Sequence, residues 1–428
     1  MEEYMQVIDT FGHYVEKVCD SKPAVSRWML KTGWKLQDAR FRIAPDKRLQ
    51  PADQYLAALM MDTMLMPLKK PDDCAIVSIF TPCELLQEVG LHPYNVEAFS
   101  CYLSATHTER GCIQQAENDG ISETLCSYHK TFLGAADRGL LPKPRCIIYT
   151  NVTCDANMLT FRRLADLFQV PVFFLDVPMQ QSDISVRYVE KQLHEMALFL
   201  EKVTGKKIDA ERLSGRVARS KRTLENYQNY QHLRAGRNIP TDLVSPLYCA
   251  MTNNILLGTH AEEKYTRMLL QNVENAPLKT GKHIYWMHTI PYWSAATKDL
   301  LLFKDSFQIV GDELAEACEP DFDPENPYLA MAHRCVYNYL NGDISRRIEA
   351  GIRHAENAGA DGVVWFNHWG CKHTLGGSQI AKRKFEAAGF PTLLLDGDGC
   401  DRSHGGEGQT STRLGAFLEM LEAGGNRT

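Results

Sequence analysis

The chain has 428 residues, of which 44% are hydrophobic and 23% charged, and its formal net charge is −6. That length accommodates two or three domains of ordinary globular composition. The acidic balance argues against a general nucleic-acid binder, whose phosphate contacts need an excess of Lys and Arg.

In chain order, the N-terminus Met1-Glu2-Glu3-Tyr4 is acidic and has no apolar core, so it does not read as a secretory signal. Residues 1–72 form a helical N-terminal segment with apolar residues at helical spacing. Its richest apolar stretch, residues 55–68, is short and carries Asp62 and Pro67, which excludes a membrane span there. We therefore expect a cytoplasmic protein with neither membrane nor nucleic acid as partner. A first α/β domain follows over 73–182, with strands at 74–80, 146–150 and 170–177 and a helix at 155–168 marked by Met158, Phe161, Leu164, Leu167 and Phe168. Residues 183–277 are long, polar and helix-patterned, a helical insert or connector. A polar linker at 279–283 leads into a second α/β domain over 278–428, with strands at 284–288, 307–311, 362–366 and 391–395 and a closing amphipathic helix at 412–421. Alternation of strands and helices implies parallel sheets covered by helices, so the fold class is α/β.

Thirteen cysteines in a cytoplasmic protein are expected to be reduced thiols, and there is no Cys-x-x-Cys pair of zinc-ribbon or thioredoxin type. Three of them stand where an element ends or begins. Cys154 follows the apolar run 146–149, Cys371 follows the run 363–366, and Cys126 lies at a helix start. Residues just past the carboxyl ends of parallel strands lie on the edge where α/β proteins bind ligands. Thiols on that edge point to an iron–sulfur site. Four thiolates normally hold a [4Fe–4S] cluster, and three leave one iron open for chemistry. The plain alternative is three unrelated buried thiols.

Other motifs are weaker. The His and Cys residues of 368–373 are zinc-ligand types without a paired motif. Asp396-Gly397-Asp398-Gly399 begins like a calcium loop, but Cys400 and Asp401 break the pattern. Gly405-Gly406-Glu407-Gly408 lacks the Gly-Lys-Ser/Thr of a phosphate loop, so the chain is not expected to hydrolyse ATP itself. Arg212, Arg216, Arg219, Lys221 and Arg222 read as a solvated helical face, with an acyl-CoA phosphate as the alternative partner.

Several short stretches carry a resemblance, in order and at the right spacing. They are Thr81-Pro82-Cys83-Glu84-Leu85, Cys126-Ser127-Tyr128, Thr153-Cys154-Asp155, Leu175-Asp176-Val177-Pro178, Gly370-Cys371-Lys372 and Leu395-Asp396-Gly397-Asp398, with the run 408–421 after them. From about residue 75 onward the chain resembles the 2-hydroxyacyl-CoA dehydratase and benzoyl-CoA reductase superfamily, which includes the double-cubane cluster proteins. The resemblance implies two flavodoxin-like parallel-sheet domains with helical additions. It places the core cluster ligands on Cys126, Cys154 and Cys371. It also implies single low-potential electrons delivered by a separate ATP-hydrolysing iron–sulfur reductase, the activator. Double-cubane members work as homodimers and dehydratase members as heterodimers of related subunits. Cys83, Cys318 and Cys335 lie near the positions of the further ligands of a double cubane, [8Fe-9S], with Cys335 matching best. His129 and His368 flank the core ligands and are the candidate catalytic residues, as proton shuttles or as hydrogen-bond donors to sulfide. The leading expectation is a double-cubane-type reductase of small molecules. The alternatives are the catalytic subunit of a (R)-2-hydroxyacyl-CoA dehydratase, which removes water from an α-hydroxy thioester through a ketyl radical, and a non-catalytic electron-transfer or scaffold subunit.

Overall fold

Three helices open the chain, α1 (Glu2–Cys19), α2 (Pro23–Ile43) and α3 (Pro51–Lys69), in a computed structural model that describes residues 2–404 and 406–424. Met1 and Gly405 lie outside the described residues. Pro23 and Pro51 occupy the first turns of α2 and α3, where a missing N–H breaks no helical bond. α3 buries Leu56, Met60 and Met64 at helical spacing.

The first sheet contains β1 (Cys74–Val77), β2 (His92–Asn95), β3 (Cys146–Thr150) and β4 (Val172–Leu175), in the order β2-β1-β3-β4 with all pairs parallel. The second contains β5 (Lys282–Met287), β6 (Phe307–Asp312), β7 (Gly362–His368) and β8 (Thr392–Gly397), in the order β6-β5-β7-β8, again all parallel. β1, β3 and β7 are buried along their whole length, as strands covered on both faces must be. Both sheets share one winding, and this is the flavodoxin-like pair of α/β units. In each, the chain runs first to one side and then to the other of the founding strand. The crevice between that strand and its later neighbour, β1/β3 or β5/β7, is a topological switch point, where such sheets bind ligands.

The elements differ from expectation in a few places. β2 was not anticipated, because Pro93 interrupts the strand pattern. It is tolerated because β2 is an edge strand. β1 stops at Val77 rather than 80. β5 begins at Lys282, inside the expected linker, since Lys282 and His283 pair with Phe307 and Gln308. The closing helix runs Glu407–Gly424, longer than 412–421. The connector is helical as expected, with helices Asp183–Thr204, Ala210–Arg234, Ser245–Ile255 and His260–Glu274. Its basic cluster is not a free solvated face. Arg212 and Arg216 pair with Glu88 at 3.0 and 2.8 Å, Arg222 pairs with Glu263 at 2.8 Å, and Lys221 donates to the Phe322 carbonyl.

One continuous core joins the N-terminal helices, the first sheet and the connector, through residues such as Leu56, Ile148, Leu193, Val217 and Leu269. The second sheet has a separate core on each face. No helix among the described residues is long and apolar enough to cross a membrane.

Candidate active site

The carboxyl ends of both sheets face a single cavity of about 880 Å³. Ile79 and Phe80 reach it past β1, Cys154 past β3, His288 past β5, and His368 and Cys371 at and past β7. Both switch points therefore open into the same space. Cys126 joins them from the residue preceding helix Ser127–Asp137. The three thiols singled out in the sequence thus line one cavity, brought there by two sheets and one helix start.

Close approach of the two halves depends on Gly370. Its φ of +81° is left-handed, and a Cβ there would lie 2.6 Å from the backbone nitrogen of Cys126. The halves are also tied by Ser127 Oγ, which donates to Asp398 Oδ1 at 2.6 Å. The same carboxylate oxygen accepts the N–H groups of Cys400 and Asp401, each at 2.7 Å. Asp398 is thus a tether between halves rather than the start of a calcium loop.

Each predicted histidine touches a predicted cysteine, and the bonding fixes the role of each ring. His368 Nδ1 accepts the Gly399 N–H at 3.0 Å, so its proton is on Nε2, which donates to Cys126 Sγ at 3.1 Å. Thr160 Oγ1 donates to the Ala156 carbonyl at 2.8 Å, so it accepts from His129 Nδ1 at 2.9 Å. His129 Nε2 is then unprotonated and faces Cys154 Sγ at 3.5 Å as an acceptor. The rings are of opposite tautomer: one donates to sulfur and the other receives from it. Burial keeps both neutral, pushing His129 down to about 3 and lowering His368 against the opposing pull of Asp398. With both nitrogens of His368 engaged and His373 Nδ1 held by Arg347 at 3.1 Å, residues 368–373 offer no free imidazole pair to zinc.

Burial also pushes the Cys154 thiol up to about 12, with Cys371 adding to the rise, and lifts Cys126 well above its ordinary value, with Cys154 and Cys371 adding. Two buried thiols whose ionisation is opposed this way need a cationic centre to become thiolates together. Among the described residues, no three His, Cys, Asp or Glu close on a position for a single metal ion. Each iron of a cubane takes one thiolate, so three thiols on one cavity wall are donors of the kind a cluster uses.

Cys83, Cys318 and Cys335 do not line this cavity. They gather elsewhere, around the buried ion pair of Glu84 with Arg334, whose closest approach is 2.6 Å. Cys83 Sγ donates to the Thr81 carbonyl at 3.1 Å, and Cys83 and Cys335 belong to the first core.

Two site residues were not singled out from the sequence. Glu97, in the first turn of helix Val96–Ala105, faces the cavity with Oε2 buried and unbonded. Desolvation raises its carboxyl to about 7. It lies near enough to Cys154 to add to the rise of that thiol. His288 caps β5 at a left-handed φ of +75°, its ring stacks on His368 with centroids 5.9 Å apart, and its Nδ1 is buried without a partner. Strained backbone of this kind collects at functional sites. Nearby, Arg347 is buried between Glu313 and Trp365 and bonds Thr374 Oγ1 at 3.1 Å, fixing the turn after Cys371.

The chain matches known proteins over most of its length. The family described as 2-hydroxyglutaryl-CoA dehydratase, D-component, matches residues 78–421. A benzoyl-CoA reductase subunit of Thauera aromatica is 22% identical over 350 residues, 73% of this chain and 80% of that protein. The (R)-phenyllactyl-CoA dehydratase alpha subunit of Clostridium sporogenes is 21% identical over 366 residues, 80% of this chain and 88% of that protein. The (R)-2-hydroxyisocaproyl-CoA dehydratase alpha subunit of Clostridioides difficile is 22% identical over 372 residues, 81% and 89% of the two chains.

Proposed function

We propose, because this chain belongs to the 2-hydroxyglutaryl-CoA dehydratase D-component family, that it is the cluster-bearing catalytic subunit of an enzyme removing water from 2-hydroxyacyl-CoA thioesters. The observation that carries the reading is the convergence of Cys126, Cys154 and Cys371 on one cavity that also holds a carboxyl of pKa about 7, Glu97. Cys126, Cys154 and Cys371 would hold a [4Fe–4S] cluster, which supplies single-electron transfer and one open iron as Lewis acid.

The chain's own groups account for the rest. Loss of water takes the hydroxyl from the carbon beside the thioester carbonyl and a proton from the next carbon. Glu97, as carboxylate, accepts that proton and returns it to the departing hydroxide, leaving water and an enoyl thioester. A pKa near the working pH suits a group that must both take and give. His368 donates to the Cys126 sulfur, which lowers the electron density there and would raise the potential of a cluster held by it. The apolar walls exclude water from the reacting atoms.

Electrons come in this reading from an ATP-hydrolysing iron–sulfur activator, since the chain lacks a phosphate loop. The relatives, each named as one subunit of its enzyme, support a second, different chain alongside this one, giving a heterodimer, with a homodimer as the other arrangement. A double cubane needs six sulfurs around one cavity. Only three of the six expected cysteines line it, so the geometry favours a single cubane and the dehydratase over the double-cubane reductase. The test is iron and acid-labile sulfide in the anaerobically reconstituted chain, together with turnover of a 2-hydroxyacyl-CoA when an activator and ATP are added. About four irons and activator-dependent dehydration are expected. About eight irons would favour the double cubane, and turnover without the activator would overturn the electron route.

A further inference from the structure

The cavity has two ends of opposite chemistry. One is the sulfur end at the sheet edges. The other runs away from it between α1, α2, α3 and helix Ser245–Ile255, where Phe11, Trp34, Phe41, Met60, Leu247 and Met251 line it. Among the described residues that α1–α3 supply to the lining, only Arg40 is charged, and it is exposed at the end of α2. Trp28 and Leu36, 64% and 69% exposed, continue the apolar surface to the mouth. α1–α3 all precede residue 78, where the match to the family begins.

We infer that this apolar arm is the acyl-selectivity pocket, and that the chain takes thioesters with a long or aromatic apolar acyl group in preference to small or carboxylate-bearing ones. The inference rests on the acyl-CoA reading above. The arm is walled by apolar side chains from four helices, more contact than a two- or three-carbon acyl group can make, and unfilled apolar surface gives a small group nothing to gain. Methionine side chains adapt to ligand shape, and aromatic faces stack on rings and chains. A second carboxylate carried into the arm would meet no buried cation and would lose its hydration uncompensated.

Calorimetric titration of the anaerobic holoprotein with CoA and with acetyl-, butyryl-, hexanoyl-, 3-phenylpropionyl- and glutaryl-CoA tests this without turnover. Affinity should rise about fourfold per added methylene from acetyl to hexanoyl, 3-phenylpropionyl-CoA should bind at least as tightly as hexanoyl-CoA, and glutaryl-CoA should bind at least about tenfold more weakly than hexanoyl-CoA. Met251→Trp, at a half-buried position of the arm, and Phe41→Trp should each cut hexanoyl-CoA binding while leaving acetyl-CoA binding unchanged. Affinity independent of chain length, or glutaryl-CoA binding as tightly as hexanoyl-CoA, would overturn the selectivity pocket while the acyl-CoA reading stands. Failure of CoA and every thioester to bind would overturn both.

Discussion

Gly370→Ala probes the contact that brings the cysteine-bearing segments together. The added Cβ would lie 2.6 Å from Cys126 N, 2.7 Å from Cys126 Cα and 2.8 Å from the Leu125 carbonyl carbon, all backbone atoms that cannot rotate aside. To reach ordinary contact the two segments must part by about 0.8 Å. Left-handed backbone costs an alanine about 1–2 kcal/mol, and overpacking a closed contact adds about 1–3 kcal/mol. Gly389 separates the two effects, because its φ is +92° and a Cβ there meets nothing within 4 Å. Urea unfolding followed by tryptophan fluorescence should therefore show Gly389→Ala less stable by about 1–2 kcal/mol, and Gly370→Ala by about 2–5 kcal/mol. After anaerobic reconstitution, Gly389→Ala should retain full iron and Gly370→Ala should not, since its Cys126 and Cys371 are displaced. Equal destabilisation of the two variants with full iron in both would refute the role given to the Gly370 contact.

Cys371→Ala and Cys154→Ala should each lose most of the iron, whereas Cys335→Ala should keep it; full iron in Cys371→Ala would show the ligand assignment to be wrong. Glu97→Gln should lower kcat by roughly 100-fold or more. Since protonated Glu97 cannot accept a proton, the wild-type rate should climb with pH through about 7, and a variant that kept this limb would clear Glu97 of the role. Glu262 is fully buried, and desolvation raises its carboxyl from 4.5 to about 8. A raised carboxyl pKa contributes stability that is complete below the ordinary value and lost as pH rises towards 8. Denaturation at pH 5 and 8.5 should then show Glu262→Gln gaining on the wild type by on the order of 4 kcal/mol across that interval, and no gain would mean that Glu262 is not held as a neutral acid.

The parts of the fold legible in the sequence were those where both faces of an element are buried. β1, β3 and β7 announce themselves as unbroken apolar runs, and the cysteines just past them inherit a position on the sheet edge. β2 has no such signature, because an edge strand can carry His92 and Pro93. Glu97 was hidden for a different reason. An acid in a first helical turn is ordinary there, as it complements the helix dipole, and only the fold reveals that this one points into an apolar cavity. His288 likewise needs its left-handed φ to stand out. Cys83 and Cys335 fell near expected positions in the chain, yet they pack beside Glu84 and Arg334, and sequence order carries no sign of which core a thiol enters.

The shared winding of the two sheets explains why the site needs both halves. A single switch point offers one crevice and, in this chain, one strand-edge cysteine: Cys154 from the first sheet or Cys371 from the second. Cys126 comes from a helix start in the first half but is oriented from the second, through Asp398 on Ser127 and His368 on its own sulfur. Further bonds cross the same boundary, with Ser104 Oγ donating to the Cys400 carbonyl at 2.7 Å and Tyr292 donating to the Cys101 carbonyl at 2.9 Å. Neither half alone can present all three sulfurs to the cavity. Whatever binds them gains affinity from contacts the halves already make, and in turn adds its binding free energy to their docking.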